Sequence, residues 1–124
     1  MQIKFEDDRP IFIQIAEGIE DSILSGAFPE ESQIPSITEF SVNYKINPAT
    51  ALKGINLLVD QEIVYKKRGV GMFVAEGAVR KLRQKRKDTF YQDYIEAMIA
   101  EARRLELSAA EIKEMIEKGF EDIV

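Results

Sequence analysis

Proline and glycine punctuate the first 77 residues, whereas Ala78 to Glu106 contains neither. Proline cannot continue a helix from within, and glycine readily takes the left-handed backbone that ends one. Such punctuation predicts short elements before Gly77 and one long helix after it. Pro10 opens a segment in which Phe12, Ile15, Ala16, Ile19 and Ile23 recur at helical spacing, so a first helix is predicted to about Ser25. Gly26 is its expected left-handed cap, and Pro29 prevents continuation past Phe28, leaving Ala27 to Pro35 as a connection. Ser36-Ile37-Thr38-Glu39 has the form of a capping box, which predicts a short second helix through about Asn43.

Asn47 before Pro48 sets a good N-cap side chain ahead of a proline in the first helical position, predicting a third helix from Pro48 to about Gln61. Gly54 is tolerated inside it at some cost. At 100° per residue, Ala51, Leu52, Ile55, Leu58 and Val59 fall on one side and are expected in the core. Ala49, Thr50, Lys53 and Asn56 fall on another and are presented outward. Ile63 to Lys67 and Met72 to Ala75 are β-prone runs joined by Arg68-Gly69-Val70-Gly71, a hairpin. In the long stretch to Glu106, Val79, Leu82, Tyr91, Tyr94, Ile95, Met98, Ala102 and Leu105 recur mostly at three and four, an amphipathic helix. Ser108-Ala109-Ala110-Glu111 is a second capping box and opens a helix with Ile112, Met115, Ile116, Phe120 and Ile123 on its apolar side.

The expected fold is thus mostly α with one small β-hairpin: a winged helix-turn-helix domain over residues 1–77 and a two-helix tail over 78–124. With no cysteine and no histidine among 124 residues, disulfides, thiolate nucleophiles and histidine-dependent triads are excluded. No carboxylate pair or lysine nucleophile assembles into a catalytic pattern, so no enzyme activity, cofactor or metal is expected. The chain shows neither a signal peptide nor a membrane span, and a cytoplasmic location is expected.

The net charge of −5 conceals an uneven distribution. Lys66 to Lys87 holds nine bases and one acid, a balance of +8, whereas Asp88 to Val124 holds four bases and ten acids, a balance of −6. A basic centre beside an acidic tail is compatible with one polyanion-binding face. The turn Tyr44-Lys45-Ile46 would let the third helix enter a major groove by its N-terminal end, which carries Asn47, Ala49, Thr50 and Lys53. Small side chains there admit the duplex backbone, Thr50 and backbone N–H groups can bond phosphate, and Lys53 can reach phosphate or guanine. Lys66, Lys67 and Arg68 lead into Gly69 and Gly71, a hairpin tip thin enough for a minor groove.

Pro10–Ile15, Ile34–Phe40, Ile46–Lys53 and Arg68–Val74 together resemble, in order and spacing, the N-terminal domain of GntR-type bacterial transcription regulators. The Asn-Pro pair and a tail of only two helices are similar to the short YtrA-like subfamily. The resemblance implies a homodimer that binds double-stranded DNA, commonly a repressor of transporter genes. It also adds Ser36, Thr38, Glu39 and Pro48 to the expected DNA-binding residues. Where the family usually has Arg, Gly and an acid, this chain has Thr38, Glu62 and Val59. The tail is the expected dimerisation element, through Tyr91, Tyr94, Ile95, Met98, Leu105, Ile112, Ile116 and Phe120, with the operator an inverted repeat. Overall acidity and Thr38 motivate a second reading, a winged-helix protein-interaction module that has lost DNA binding. No small-molecule effector is specified by the sequence.

Overall fold

The structure, a computed structural model, describes residues 1, 3–6 and 8–122. Ile123, expected on the apolar side of the last helix, lies outside the described residues. The helices are α1 (Ile11–Leu24), α2 (Ile37–Tyr44) and α3 (Pro48–Asp60), followed by strands β1 (Val64–Lys67) and β2 (Gly71–Val74). Helix α4 (Ala78–Phe90), a π turn (Tyr91–Ile95), α5 (Glu96–Arg104) and α6 (Ala109–Asp122) complete the described chain. Among the described residues no helix is long and apolar enough to cross a membrane. The chain divides into two compact units, Met1–Gln84 and Lys85–Val124.

The start signals act as their chemistry requires. Ser36 Oγ accepts from the Glu39 N–H (3.1 Å) and the Glu39 carboxylate accepts from the Ser36 N–H (3.1 Å), closing the first capping box. Asn47 Oδ1 accepts from the Ala49 N–H at 2.8 Å, and Pro48 takes the first turn of α3. Ser108 and Glu111 repeat the reciprocal cap on α6. Gly26 is left-handed after α1, with φ 87°.

In the first unit α1 packs against α3, and Ile15, Ile19, Ile23, Phe40, Ile55 and Leu58 are fully buried between the helices. The expected core face of α3 needs one correction. Ala51, Gly54, Ile55 and Leu58 are buried and Val59 is half-buried against them, but Leu52 is 41% exposed. It lies one residue round from the stripe that α1 covers, so α1 does not reach it.

The connection before α2 is also more than a loop. The Glu31 N–H donates to Val74 O (2.8 Å), the Val74 N–H to Ser32 O (2.9 Å) and the Ile34 N–H to Met72 O (2.9 Å). Gln33 thereby stands opposite Phe73, and this segment lines the outer edge of β2, whose other edge pairs antiparallel with β1 from Val64↔Val74 to Lys67↔Gly71. Its backbone, not a pattern of apolar side chains, makes the pairing.

The first compact unit extends past Gly77 to Gln84. Ala78 and Leu82, on the first turns of α4, are fully buried and belong to the core of the first unit. Glu30 fastens the start of that helix: its carboxylate accepts from the Gly77 N–H (2.8 Å) and the Val79 N–H (3.0 Å). These bonds, Gly77 first, hold the Glu30 carboxyl below its ordinary pKa. A lowered folded-state pKa means that this carboxylate favours the folded state above its ordinary pKa. That contribution is lost as pH falls through the lowered value. The long helix expected to Glu106 is likewise interrupted, by the π turn, and it ends at Arg104 with Glu106 left-handed at φ 56°.

Helix α3 ends in a Schellman pattern: the Glu62 N–H donates to Val59 O (3.0 Å) and the Ile63 N–H to Leu58 O (2.9 Å). Glu62 therefore adopts φ 59°, where a side chain costs about 1–2 kcal/mol. This is the position at which the resemblance leads one to look for Gly. Its ion pair with Lys81, 3.6 Å between two exposed groups, offsets little of that cost. Glu62→Gly is expected to stabilise the first unit by about 1 kcal/mol, raising its thermal midpoint by about 5 °C. A lowered midpoint in thermal unfolding would contradict the strain.

Candidate nucleic-acid interface

Three elements of the first unit converge on one side. The N-terminal turn of α2 presents Ser36 and Thr38, the outward face of α3 presents Leu52 and Asn56, and the hairpin presents Lys66, Val70 and Gly71. Between them lies a cleft of about 350 Å³, with Ile37 and Met72 also in its walls. At its rim the start of α3 exposes Asn47, Pro48 and Ala49, with Thr50 half-buried, so the free N–H groups of that turn lie at the surface.

The hairpin is shaped for a narrow tip. The Val70 N–H donates to Lys67 O (2.9 Å), closing a turn whose third residue, Gly69, has φ 78°, as a type II turn demands. Gly71 too has a positive φ, 147°, which strains any side chain. A Cβ there would stand 2.4 Å from Gln33 Nε2, which donates to Val70 O at 3.1 Å and braces the turn from the neighbouring segment. Lys66, Lys67 and Arg68 are all exposed on this tip. The Lys67 ammonium sits over the Phe73 ring, 4.4 Å from its centroid, a contact that fixes the direction of a side chain otherwise free in water.

The remaining expected residues divide by what already engages them. The Glu39 carboxylate is exposed but serves as the cap of α2, holding the helix start that carries Ser36 and Thr38. Lys53 is exposed at the side of α3 and leans over the Phe12 ring of α1, 4.1 Å from the centroid. A cation held this way at the surface gains about 0.5–1 kcal/mol, which an approaching phosphate can outcompete. Thr38 is exposed at the mouth of the cleft with a short side chain where a longer cation would extend outward.

Two residues of this face escape the sequence reading. Gln33 has no motif around it and acts only through a fold in which residue 33 meets residue 70. Leu52 was assigned to the core, and its one available signal is its place at the edge of the apolar stripe of α3 rather than its centre.

In the second unit Phe90, Tyr91, Tyr94, Leu105, Met115, Ile116 and Phe120 are all exposed, Phe120 to 81%. Of the residues expected to dimerise, Ile95, Met98 and Ile112 are half-buried and the other five are exposed. Ala102 is the buried residue of α5, and α6 has none among its described residues.

Residues 13–74 match the family described as bacterial regulatory proteins, gntR family. A crystal structure of a GntR-family protein from Bacteroides thetaiotaomicron is 35% identical, with a TM-score of 0.71 over 90% of this chain and 96% of that one. The HTH-type transcriptional repressor YtrA of Bacillus subtilis (strain 168) is 24% identical over 99% of this chain and 94% of its own length. The DNA-binding domain of AraR, crystallised with its operator ORR3, is 29% identical with a TM-score of 0.54, over 60% of this chain and 90% of that one. The chain therefore belongs to the GntR family of bacterial DNA-binding transcriptional regulators.

Proposed function

We propose that the protein is a homodimeric repressor acting on an inverted-repeat operator, with residues 85–124 holding two copies together. The observation that carries the reading is the single face of the first unit, where the start of α3 and the basic hairpin flank one cleft. A major-groove helix and a minor-groove tip on one small unit cover one half-site, and a twofold pair of such units calls for an operator of matching symmetry. The apolar side chains exposed on the second unit supply a surface that a second copy can cover. The acidic balance of the tail suits a surface turned from the duplex. Repression is supported by the likeness to YtrA over nearly the whole chain. The resemblance to short regulators of this kind extends the proposal to a transporter operon, in the cytoplasm.

The DNA-binding residues proposed are Ser36, Thr38, Asn47, Pro48, Ala49, Thr50, Lys53, Lys67, Arg68, Gly69 and Gly71, with Glu39 holding the start of α2. Random duplexes enriched by the full-length protein should converge on an inverted repeat with half-sites about 34 Å apart or a multiple of it. On such a duplex, Lys53→Ala and Arg68→Ala should each lower the slope of log K against log salt by about 1, Arg68→Ala without changing the thermal midpoint and Lys53→Ala at a cost of no more than the about 0.5–1 kcal/mol of its contact with Phe12. Unaltered affinity and slope in both variants would remove this face from the interface.

A further inference from the structure

Leu52 is exposed on the face that a regulator turns toward DNA. The apolar contacts that hold α3 in the core come from Ala51, Gly54, Ile55 and Leu58, and Leu52 is not among them. Its side chain lies in the cleft beside Asn56, one turn along the same helix, with Lys66 on the hairpin opposite. A large apolar group left in water gains free energy when something apolar covers it. Lys66 in the same cleft, with Lys67 and Arg68 following it on the exposed hairpin, selects a polyanion as that cover.

We propose that Leu52 reads the C5 methyl group of a thymine in the major groove of the operator, which makes it a specificity-determining residue. This rests on the operator reading above. Among the groups that base pairs display in the major groove, the thymine methyl is the apolar one, while the others are hydrogen-bond donors and acceptors. A leucine makes no hydrogen bond, so it discriminates by that methyl or not at all. Asn56 beside it carries the amide that pairs with adenine N6 and N7, so the two residues together suit one T·A pair or two adjacent ones.

Replacing thymine by deoxyuridine leaves every hydrogen bond of the base pair in place and removes the methyl alone. The test takes the inverted-repeat duplex enriched by the full-length protein and substitutes its thymines one at a time. The wild-type protein should lose about fourfold in affinity at one thymine of each half-site, the effect of one buried methyl-sized group. That loss should be the same at low and high salt, unlike the loss of a phosphate contact. Leu52→Ala should bind the thymine duplex about fourfold more weakly and no longer distinguish it from the deoxyuridine duplex, whereas Leu52→Met should keep the discrimination. Because Leu52 is partly exposed and outside the core, both variants should keep the thermal midpoint of the parent. A wild-type protein indifferent to deoxyuridine at every position, or a Leu52→Ala variant that still loses affinity at the same thymine, would overturn the role of Leu52 alone. Enrichment of no sequence would overturn the operator reading, and with it this one.

Discussion

A chain ending at Gln84 should sediment as a monomer and bind an inverted-repeat duplex about 100- to 10,000-fold more weakly than the full chain, since linking two half-site readers commonly contributes that much. Deleting residues 85–124 removes the exposed apolar side chains Phe90, Tyr91, Tyr94, Leu105, Met115, Ile116 and Phe120. It leaves the first unit with Leu82 in its core and Glu30 on the start of α4. The place of the cut decides what the experiment measures. Ending the chain at Gly77 would also strip away Leu82, and loss of a buried leucine side chain down to alanine already costs about 2–5 kcal/mol. Weak binding by that shorter piece would report unfolding rather than lost avidity. Analytical sedimentation and titration of a duplex with one half-site separate the two. The piece ending at Gln84 should bind the single half-site about as well as one arm of the full chain does. A full chain that is monomeric, or a Gln84-terminated piece that is still dimeric, would remove the tail as the dimerisation element.

Local signals in the sequence settle most of the fold because they are settled locally in the molecule as well. A capping box, an Asn-Pro pair and a left-handed glycine each work within four residues of themselves, and those at Ser36, Asn47, Gly26 and Ser108 stand as the sequence predicts. What the sequence hides depends on partners remote in the chain. Glu31 to Ile34 lines β2 through backbone groups that every residue has, so no side-chain pattern marks it. Leu82 fits the apolar pattern of a tail helix and of a core helix equally, and only its burial against the first unit assigns it. The π turn at Tyr91–Ile95 falls where the apolar spacing jumps from Leu82 to Tyr91, a gap the periodicity passes over. On the candidate face, the sequence places the residues at element starts and on the turn where they are exposed. It does not place Leu52 there, because a helical wheel cannot show where the covering helix stops.

Gly54→Val is expected to destabilise the protein by about 3 kcal/mol, an overpacking effect at its upper range. Inside a helix glycine is ordinarily a weakness, about 1 kcal/mol worse than alanine, and on that ground position 54 reads as a tolerated defect. The packing reverses this. A Cβ at residue 54 would meet the Phe12 carbonyl oxygen of α1 at 2.7 Å and the Ile15 Cβ and Cγ2 at 3.2 Å. The first of these is backbone, which cannot swing aside, so α1 and α3 would have to separate. Gly119 on α6 provides the contrast, since an added Cβ there meets nothing within 4 Å. Valine and glycine differ little in helix propensity, so Gly119→Val should shift stability by no more than about 0.5 kcal/mol. Denaturant unfolding of the two variants tests the close approach directly, with equal and small effects as the outcome that would refute it. The consequence for function follows from the same contact. Helix α3 carries the proposed DNA-binding residues, so a wider α1–α3 spacing moves Asn47, Thr50 and Leu52 relative to the hairpin. Whatever Gly54→Val protein remains folded should therefore bind the operator more weakly than its folded fraction alone accounts for.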